Sequence, residues 1–180
     1  LYSNLIKTKT IANLEFLAKL PGNLGGLVKM NAGLKSWEMF NYINSIKTKD
    51  GYIKKEDVNF SYRETKIDTI IYEVVFNIES GFCKEKLKEF NKMRDNQPHV
   101  PSAGSCFKNP KDDFAGRLIE AVELKGLRQG DMSFSEQHAN FLVNNGAGTF
   151  EDAIYLIDLA KKKIKEEFSI DIEEEIIIYK

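Results

Sequence analysis

Cysteine and histidine occur twice each in this chain of 180 residues, tryptophan once and proline four times. The two cysteines, Cys83 and Cys106, lack any CxxC or HxxxH context. They exclude a disulfide framework and a structural zinc site, no metal centre is expected, and they point to reduced thiols in the cytoplasm. Long apolar runs are missing too. The longest, such as Ile70-Ile71-Tyr72, meet a charge within a few residues, far short of the roughly 20 residues that cross a bilayer. A surplus of charge is also absent. The chain has 26 Lys+Arg against 27 Asp+Glu and a formal net charge of -1, so it lacks the long-range field that gathers nucleic acid nonspecifically. What remains is an ordinary folded composition, 42% hydrophobic, in a length that buries roughly 70% of the unfolded surface as one large or two small domains. The chain opens Leu1-Tyr2-Ser3, with neither Met nor a basic-then-apolar leader, and reads as a piece of something longer.

Punctuation separates three regions. From Leu1 the chain reads as helical until Pro21-Gly22-Asn23-Leu24-Gly25-Gly26 stops it, and Asn31-Ala32-Gly33 follows. From about Trp37 to Ser80 it reads as strands, with a hairpin at Asp50-Gly51 and a longer interior strand over Thr69 to Ile78. The third region alternates. Helices are expected over Cys83 to Arg94 (a charged surface helix), Phe114 to Leu124, and from a Thr149/Asp152 capping box to about Phe168. Strands are expected at Ala139 to Val143 and Ile170 to Tyr179. The fold class is α+β, with a domain boundary near residue 80 and the sheet of the third region packed on its helices.

Four segments carry more polar or glycine information than a core requires. Pro21, Gly22, Gly25 and Gly26 could present backbone N–H groups to a phosphate, or simply turn the chain between packed elements. Arg63 in Ser61-Tyr62-Arg63-Glu64-Thr65 is the only arginine in the first half of the chain. It could grip a carboxylate with parallel N–H donors, or form a surface ion pair with Glu64 or a neighbour. Pro101-Ser102-Ala103-Gly104-Ser105-Cys106-Phe107-Lys108-Asn109-Pro110 exposes hydroxyl, amine and amide groups in one tight loop. It does not match the hydrolase nucleophile elbow, so a proton-transferring or substrate-positioning Ser105 is the better chemical reading. In Glu173-Glu174-Glu175, alternation puts Glu174 on the parity of Ile170, Ile172, Ile176 and Ile178. That marks it as a desolvated acid, unless the three are a solvated end of a strand.

Together and in this order, these segments resemble the UDP-N-acetylenolpyruvoylglucosamine reductase family of peptidoglycan synthesis. Leu20 to Gly33 is similar to its "PGxxGGAxxMNAG" stretch, and Ser61 to Thr65 to its "YR(D/E)S" motif. Gln97-Pro98 with Pro101 to Pro110 is similar to "QP…PSAGSxFKNP". Ala115 to Glu120 is similar to "AGxLIE", Ser135 to Phe141 to "SxxHANF", and Ile172 to Ile176 to the closing "LxPEV".

The resemblance implies a cytoplasmic, monomeric flavoenzyme that uses FAD and NADPH to reduce UDP-N-acetylglucosamine enolpyruvate to UDP-N-acetylmuramate. It implies catalytic roles for Arg63, Ser105 and Glu175, the last chosen over Glu174 by alignment. Pro21, Gly22, Gly25, Gly26, Asn31, Ala32 and Gly33 fall in its cofactor-binding region, and Tyr62, Lys108 and Asn109 in its substrate contacts. Residues 1–80 correspond to the end of the FAD-binding domain and 81–180 to the substrate-binding domain. The spacing from Arg63 to Ser105 is that of the compact subtype. Nothing before Pro21 resembles the family's "GGGSN" flavin loop, so the chain is expected to bind FAD weakly or not at all. The alternatives are a noncatalytic nucleotide-sugar-binding fragment and a protein-interaction domain.

Overall fold

The structure, a computed structural model, describes residues 11–18 and 20–179, so most of the opening helix expected from the sequence lies outside it. Two compact units emerge, Leu1–Arg94 and Asp95–Lys180. The division falls after the helix that the sequence groups with the second domain, because Phe90 of that helix is buried in the first core.

The first unit runs through β1 (Ile11–Ala12), a 3-10 turn (Glu15–Leu17), α1 (Leu24–Lys29), β2 (Gly33–Leu34), β3 (Trp37–Glu38), α2 (Met39–Tyr42), β4 (Ile43–Thr48) and β5 (Gly51–Lys54). It continues through β6 (Phe60–Ser61), β7 (Glu64–Thr65), β8 (Glu73–Phe76), β9 (Glu79–Ser80) and α3 (Lys84–Arg94). The main sheet has the order β5-β4-β8, and short antiparallel pairs form between β1 and β9, β2 and β3, and β6 and β7. The hairpin forms where Asp50-Gly51 predicts it. Gly51 takes φ +111°, a left-handed value that costs glycine little. Strand β4 is central and buries Ile43 and Ile46 against Phe16, Val28, Met39, Phe40 and Phe90.

Three expectations change here. In its described part, the segment before Pro21 is a short strand and a 3-10 turn. Its buried residues Leu14, Glu15, Phe16 and Ala18 are nearly consecutive rather than spaced every third or fourth position. The Pro21–Gly26 stretch contains a helix start, because the Asn23 side chain accepts from Gly26 N at 2.7 Å and caps α1. The strand expected over Thr69 to Ile78 shrinks to Glu73–Phe76 and lies at a sheet edge, pairing only with β4 among the described residues. Ile70 and Tyr72 are largely exposed, so its apolar alternation does not report an interior position.

The second unit holds β10 (Ser102–Ser105), α4 (Ala115–Ala121), β11 (Arg128–Gln129), β12 (Met132–Phe134), β13 (Phe141–Asn144) and α5 (Phe150–Phe168). An antiparallel sheet of order β10-β13-β12-β11 packs on both helices. Phe107, Leu118, Ile119, Phe134, Leu156 and Ile164 are fully buried between them. Antiparallel strands with segregated helices make the fold α+β. Helix α5 starts at the expected capping box, with Asp152 N donating to Thr149 Oγ1 at 3.1 Å and Thr149 N to Asp152 Oδ2 at 3.2 Å. The expected terminal strand is reduced to a single antiparallel bridge between Glu174 and Phe107. Two main-chain bonds support it, Lys108 N to Glu173 O and Glu175 N to Cys106 O, both 2.8 Å. The alternation of Ile172 and its neighbours reflects this local fastening, with Ile172 alone of the tail fully inserted in the core. Among the described residues no helix is long and apolar enough to cross a membrane.

Both cysteines are free. Burial pushes the Cys106 thiol up to about 12, with a smaller contribution from the Glu174 charge. Iodoacetamide at pH 8 should therefore label Cys83 on the native protein and spare Cys106 until denaturant is added. Equal labelling rates, read by mass spectrometry, would contradict this placement. Replacing Thr149 by Ala should lower stability by about 1 kcal/mol, measured as a shift of the urea midpoint with an unchanged slope.

Candidate active site

Tyr62 and Arg63 form the two-residue turn of the β6–β7 hairpin. Arg63 takes φ +56°, a conformation that costs a side-chain-bearing residue roughly 1–2 kcal/mol. The guanidinium compensates by docking on the first unit. Nη2 donates to Gly33 O at 2.9 Å, and Nη1 reaches Asn31 O at 3.4 Å and Glu38 Oε1 at 3.5 Å. The Tyr62 ring lies 4.8 Å from the guanidinium carbon, a cation–π distance. With its side chain only 10% exposed, Arg63 is no screened surface ion pair. Its planar fork is pre-oriented by main-chain carbonyls.

Asn31 organises this corner. It is fully buried, donates from Nδ2 to Glu38 Oε2 and Ser61 O, both at 2.9 Å, and accepts from Phe40 N at 3.1 Å. The same hairpin is tied to the end of α1 by Thr65 Oγ1, which donates to Lys29 O at 2.6 Å. Two motifs thirty residues apart in sequence, those of Gly33 and Arg63, thus form one structure.

The glycine-rich stretch divides into two parts. Its buried end belongs to the Arg63 corner. A Cβ on Gly33 would overlap the Trp37 carbonyl oxygen and lie 2.9 Å from Glu38 Cα, and Ala32 is buried. Its other end, Pro21, Gly22 and Gly26, is exposed. There Gly22 needs its φ of +105°, whereas a Cβ on Gly25 would meet nothing closer than Ile71 O at 3.6 Å, an ordinary contact. Since glycine inside a helix costs about 1 kcal/mol relative to alanine, the protein's own packing does not account for Gly25.

In the second unit, Ser105 ends β10 opposite Phe141, after a register shift that begins at Ser102. Gly104 makes the shift, with φ +89° and open space where a Cβ would stand. Ser105 is half-buried while Cys106 and Phe107 turn fully inward, so the hydroxyl stays at the surface and the thiol does not. The tail segment lies directly alongside, since Glu175 N donates to Cys106 O at 2.8 Å. The structure therefore brings Ser105, Lys108 and Glu175 onto adjoining strands of chain. Lys108 Nζ pairs with Glu173 Oε2 at 3.4 Å. The Asn109 side-chain oxygen accepts from Ala115 N at 3.0 Å and caps the start of α4.

Glu174, marked by alternation, has its own explanation. Partial burial raises its carboxyl, but the hydrogen bonds from Lys161 Nζ, 2.9 Å away, and from its own backbone N–H outweigh burial and hold it below the usual carboxylate range. It is an ionised half of a salt bridge at neutral pH. His138 rests against Gly116, with Nδ1 accepting from Asn140 N at 3.3 Å, and burial keeps it below the usual imidazole value.

Sequence reasoning passes over two positioning residues. Glu38 braces both Asn31 and Arg63 and carries no motif. Asn140 stands inside the "SxxHANF" match, and its role becomes visible only in three dimensions. Buried at 3% exposure, it accepts from Phe107 N at 3.0 Å and donates to Phe107 O at 2.8 Å. Its carbonyl takes Cys106 N at 2.7 Å, so it fixes the loop that presents Ser105.

A family model described as the C-terminal domain of UDP-N-acetylenolpyruvoylglucosamine reductase matches residues 96–179, nearly the whole second unit. A relative of that name from Helicobacter hepaticus is 49% identical over 172 residues, covering 96% of this chain and 65% of the relative. Another, from Campylobacter jejuni, is 48% identical over 172 residues, covering 96% and 67%. The crystal structure of the reductase from Thermus caldophilus is 30% identical with a TM-score of 0.86, covering 99% of this chain and 68% of its own. The chain spans about two thirds of the length of these relatives. With identity near one half across almost every residue and a shared fold, the chain belongs to the UDP-N-acetylenolpyruvoylglucosamine reductase family.

Proposed function

We propose that this chain carries the substrate-handling machinery of an FAD- and NADPH-dependent cytoplasmic reductase that converts UDP-N-acetylglucosamine enolpyruvate to UDP-N-acetylmuramate. The observation that carries the proposal is the Arg63 corner, where a nearly buried guanidinium is oriented by the Asn31 and Gly33 carbonyls. Such a group suits a carboxylate whose charge grows during reaction, because its dipoles are set before the charge appears.

FAD, when bound, supplies the hydride, drawn from NADPH and delivered to C3 of the enolpyruvyl ether. The exposed main chain of Pro21, Gly22 and Gly26 fits one edge of such a cofactor, and Gly25 is the glycine that a closely approaching ligand would require. Asn31, Ala32 and Gly33 serve the cofactor region by holding its shape. Hydride addition leaves a negative charge at C2, shared with the carboxylate. Arg63 stabilises that charge by charge-assisted hydrogen bonds, with Tyr62 flanking the guanidinium. Ser105 gives the proton to C2, and Glu175 assists the carboxylate or the proton. The commitment of Glu174 to Lys161 supports assigning this role to Glu175. Lys108 and Asn109 contact the diphosphate and hydroxyl groups. Residues 1–80 act as the flavin side and 81–180 as the substrate side.

The second reading is a nucleotide-sugar-binding piece without turnover. Mixing the chain with FAD, NADPH and the enolpyruvyl substrate separates them. NADPH oxidation supports the reductase, whereas substrate binding without oxidation supports the binding piece.

In the reductase, Ser105→Ala should slow substrate reduction by roughly 10²–10⁴-fold while flavin reduction by NADPH proceeds at the parental rate. Equal slowing of the two half-reactions in stopped flow would remove Ser105 from the proton-donor role. Arg63→Lys keeps the charge and loses the fork, so kcat should fall by about tenfold or more. A change in KM alone would mean that Arg63 binds substrate without stabilising the transition state.

A further inference from the structure

The sheet of the second unit has two faces, and its helices cover one of them. Met132, Phe134 and Leu142 point to that side and join the core beneath α4 and α5. Ser133, Ser135, Phe141 and Val143 alternate with them along the strands and occupy the opposite face. They are buried as well, although Phe141 and Val143 stand outside that core. Their cover is the segment that precedes β10. It crosses the face as a strap, fastened by Gln137 Nε2 to Asp95 O and by Asn144 N to Pro101 O, both at 2.9 Å. Between strap and sheet lies a cleft of about 300 Å³, with Pro98 and Val100 on one side and Ser133, Ser135 and Val143 on the other.

Ser105 belongs to the same face. It pairs directly with Phe141, and Ser135 N donates to Phe141 O at 2.8 Å from the other side, so the three residues form one row across β10, β13 and the end of β12. Paired residues project together. Two strand spacings put the Ser135 end of the cleft about 10 Å from Ser105.

The polar lining of the cleft is only half used. Ser133 Oγ accepts from Asn145 Nδ2 at 2.9 Å, and Ser135 Oγ accepts from the main-chain N–H groups of Gln137 at 3.1 Å and His138 at 3.4 Å. Among the described residues neither hydroxyl donates its own hydrogen, although both serines are 6% exposed. A buried hydroxyl is ordinarily spent in both directions. Charge does not fill the cleft either, since its lining includes Arg128 and Glu136, one of each sign, and Arg128 is paired with Asp131 at 3.3 Å. A diphosphate finds no surplus of cations there. Donor hydrogens beside apolar walls suit a neutral group that joins an oxygen acceptor to a methyl.

We propose that this cleft is the subsite for an N-acetylated amino sugar. Ser133 and Ser135 donate to the acetamide carbonyl and a neighbouring sugar oxygen, while Val143 and Val100 pack on the acetamide methyl. This rests on the reading given above, in which Ser105 meets C2 of the enolpyruvyl ether, and adds to it the residues that discriminate the sugar. The acetamide stands on the sugar carbon next to the one that bears the ether, so a sugar anchored at Ser105 extends it along the same face toward the cleft.

The test is a ratio of affinities, measured by calorimetry on the full chain with UDP-N-acetylglucosamine and with UDP-glucose, which has a hydroxyl in place of the acetamide. The parental chain should prefer the acetylated sugar by about tenfold. Ser133→Ala should reduce that preference by about three- to tenfold. Val100→Trp, a change on the exposed strap, narrows the cleft and should reduce it as well. Loss of folded protein scales both ligands alike and leaves the ratio unmoved. A preference that survives both substitutions overturns the proposal, leaves ordered water in the cleft and keeps the reductase reading intact, as does a parental chain that binds the two sugars equally. A parental chain that binds neither overturns the nucleotide-sugar reading and this inference together.

Discussion

The first unit depends on one buried amide. Asn31 cannot leave its side chain unpaired at zero exposure without a cost of several kcal/mol, and it meets that demand by drawing together β3, the start of α2 and the end of β6. Once those three are fixed, the β6–β7 turn has a single place to go. The left-handed conformation of Arg63 follows from the anchoring of its neighbours. The geometry of the corner is therefore a by-product of satisfying a polar group in a core.

The second unit repeats the device with other residues. Asn140 is also a buried amide, and it completes the main chain on both sides of Phe107. Phe107 inserts into the core together with Cys106, while Ser105, the last residue of β10, stays half-buried at the edge of that core. In both units an asparagine makes more bonds than a threonine or serine could, and it faces backbone instead of solvent. This lets short, irregular segments hold the candidate side chains Arg63 and Ser105 in fixed positions.

Much of the fold was legible because local chemistry decides it. The Asp50-Gly51 hairpin needs a left-handed residue, and the Thr149/Asp152 box answers orphaned N–H groups at a helix start. Neither depends on distant partners. The failures share the opposite cause. Thr69 to Ile78 alternates like an interior strand, but alternation does not say whether both flanks are paired, and Ile70 and Tyr72 are exposed. The tail from Ile170 alternates as well, though a single bridge to Phe107 is all it forms. At the site, motif order singled out Arg63, Ser105 and their neighbours as candidates. It did not show that the Asn31-Ala32-Gly33 segment supports Arg63, because that relation exists only after folding. Glu38 and Lys161 left no trace in the sequence pattern, since a partner defined by distance has no fixed spacing.

The bridge between Phe107 and Glu174 also orders events in time. Nearly the whole second unit separates the two residues in sequence, and contacts of such long range close late because the loop entropy must be met first. Losing the segment that bears Glu173 and Glu175 would leave the Lys108 N–H and the Cys106 carbonyl without these partners, so the loop after Ser105 is held from a distant part of the sequence.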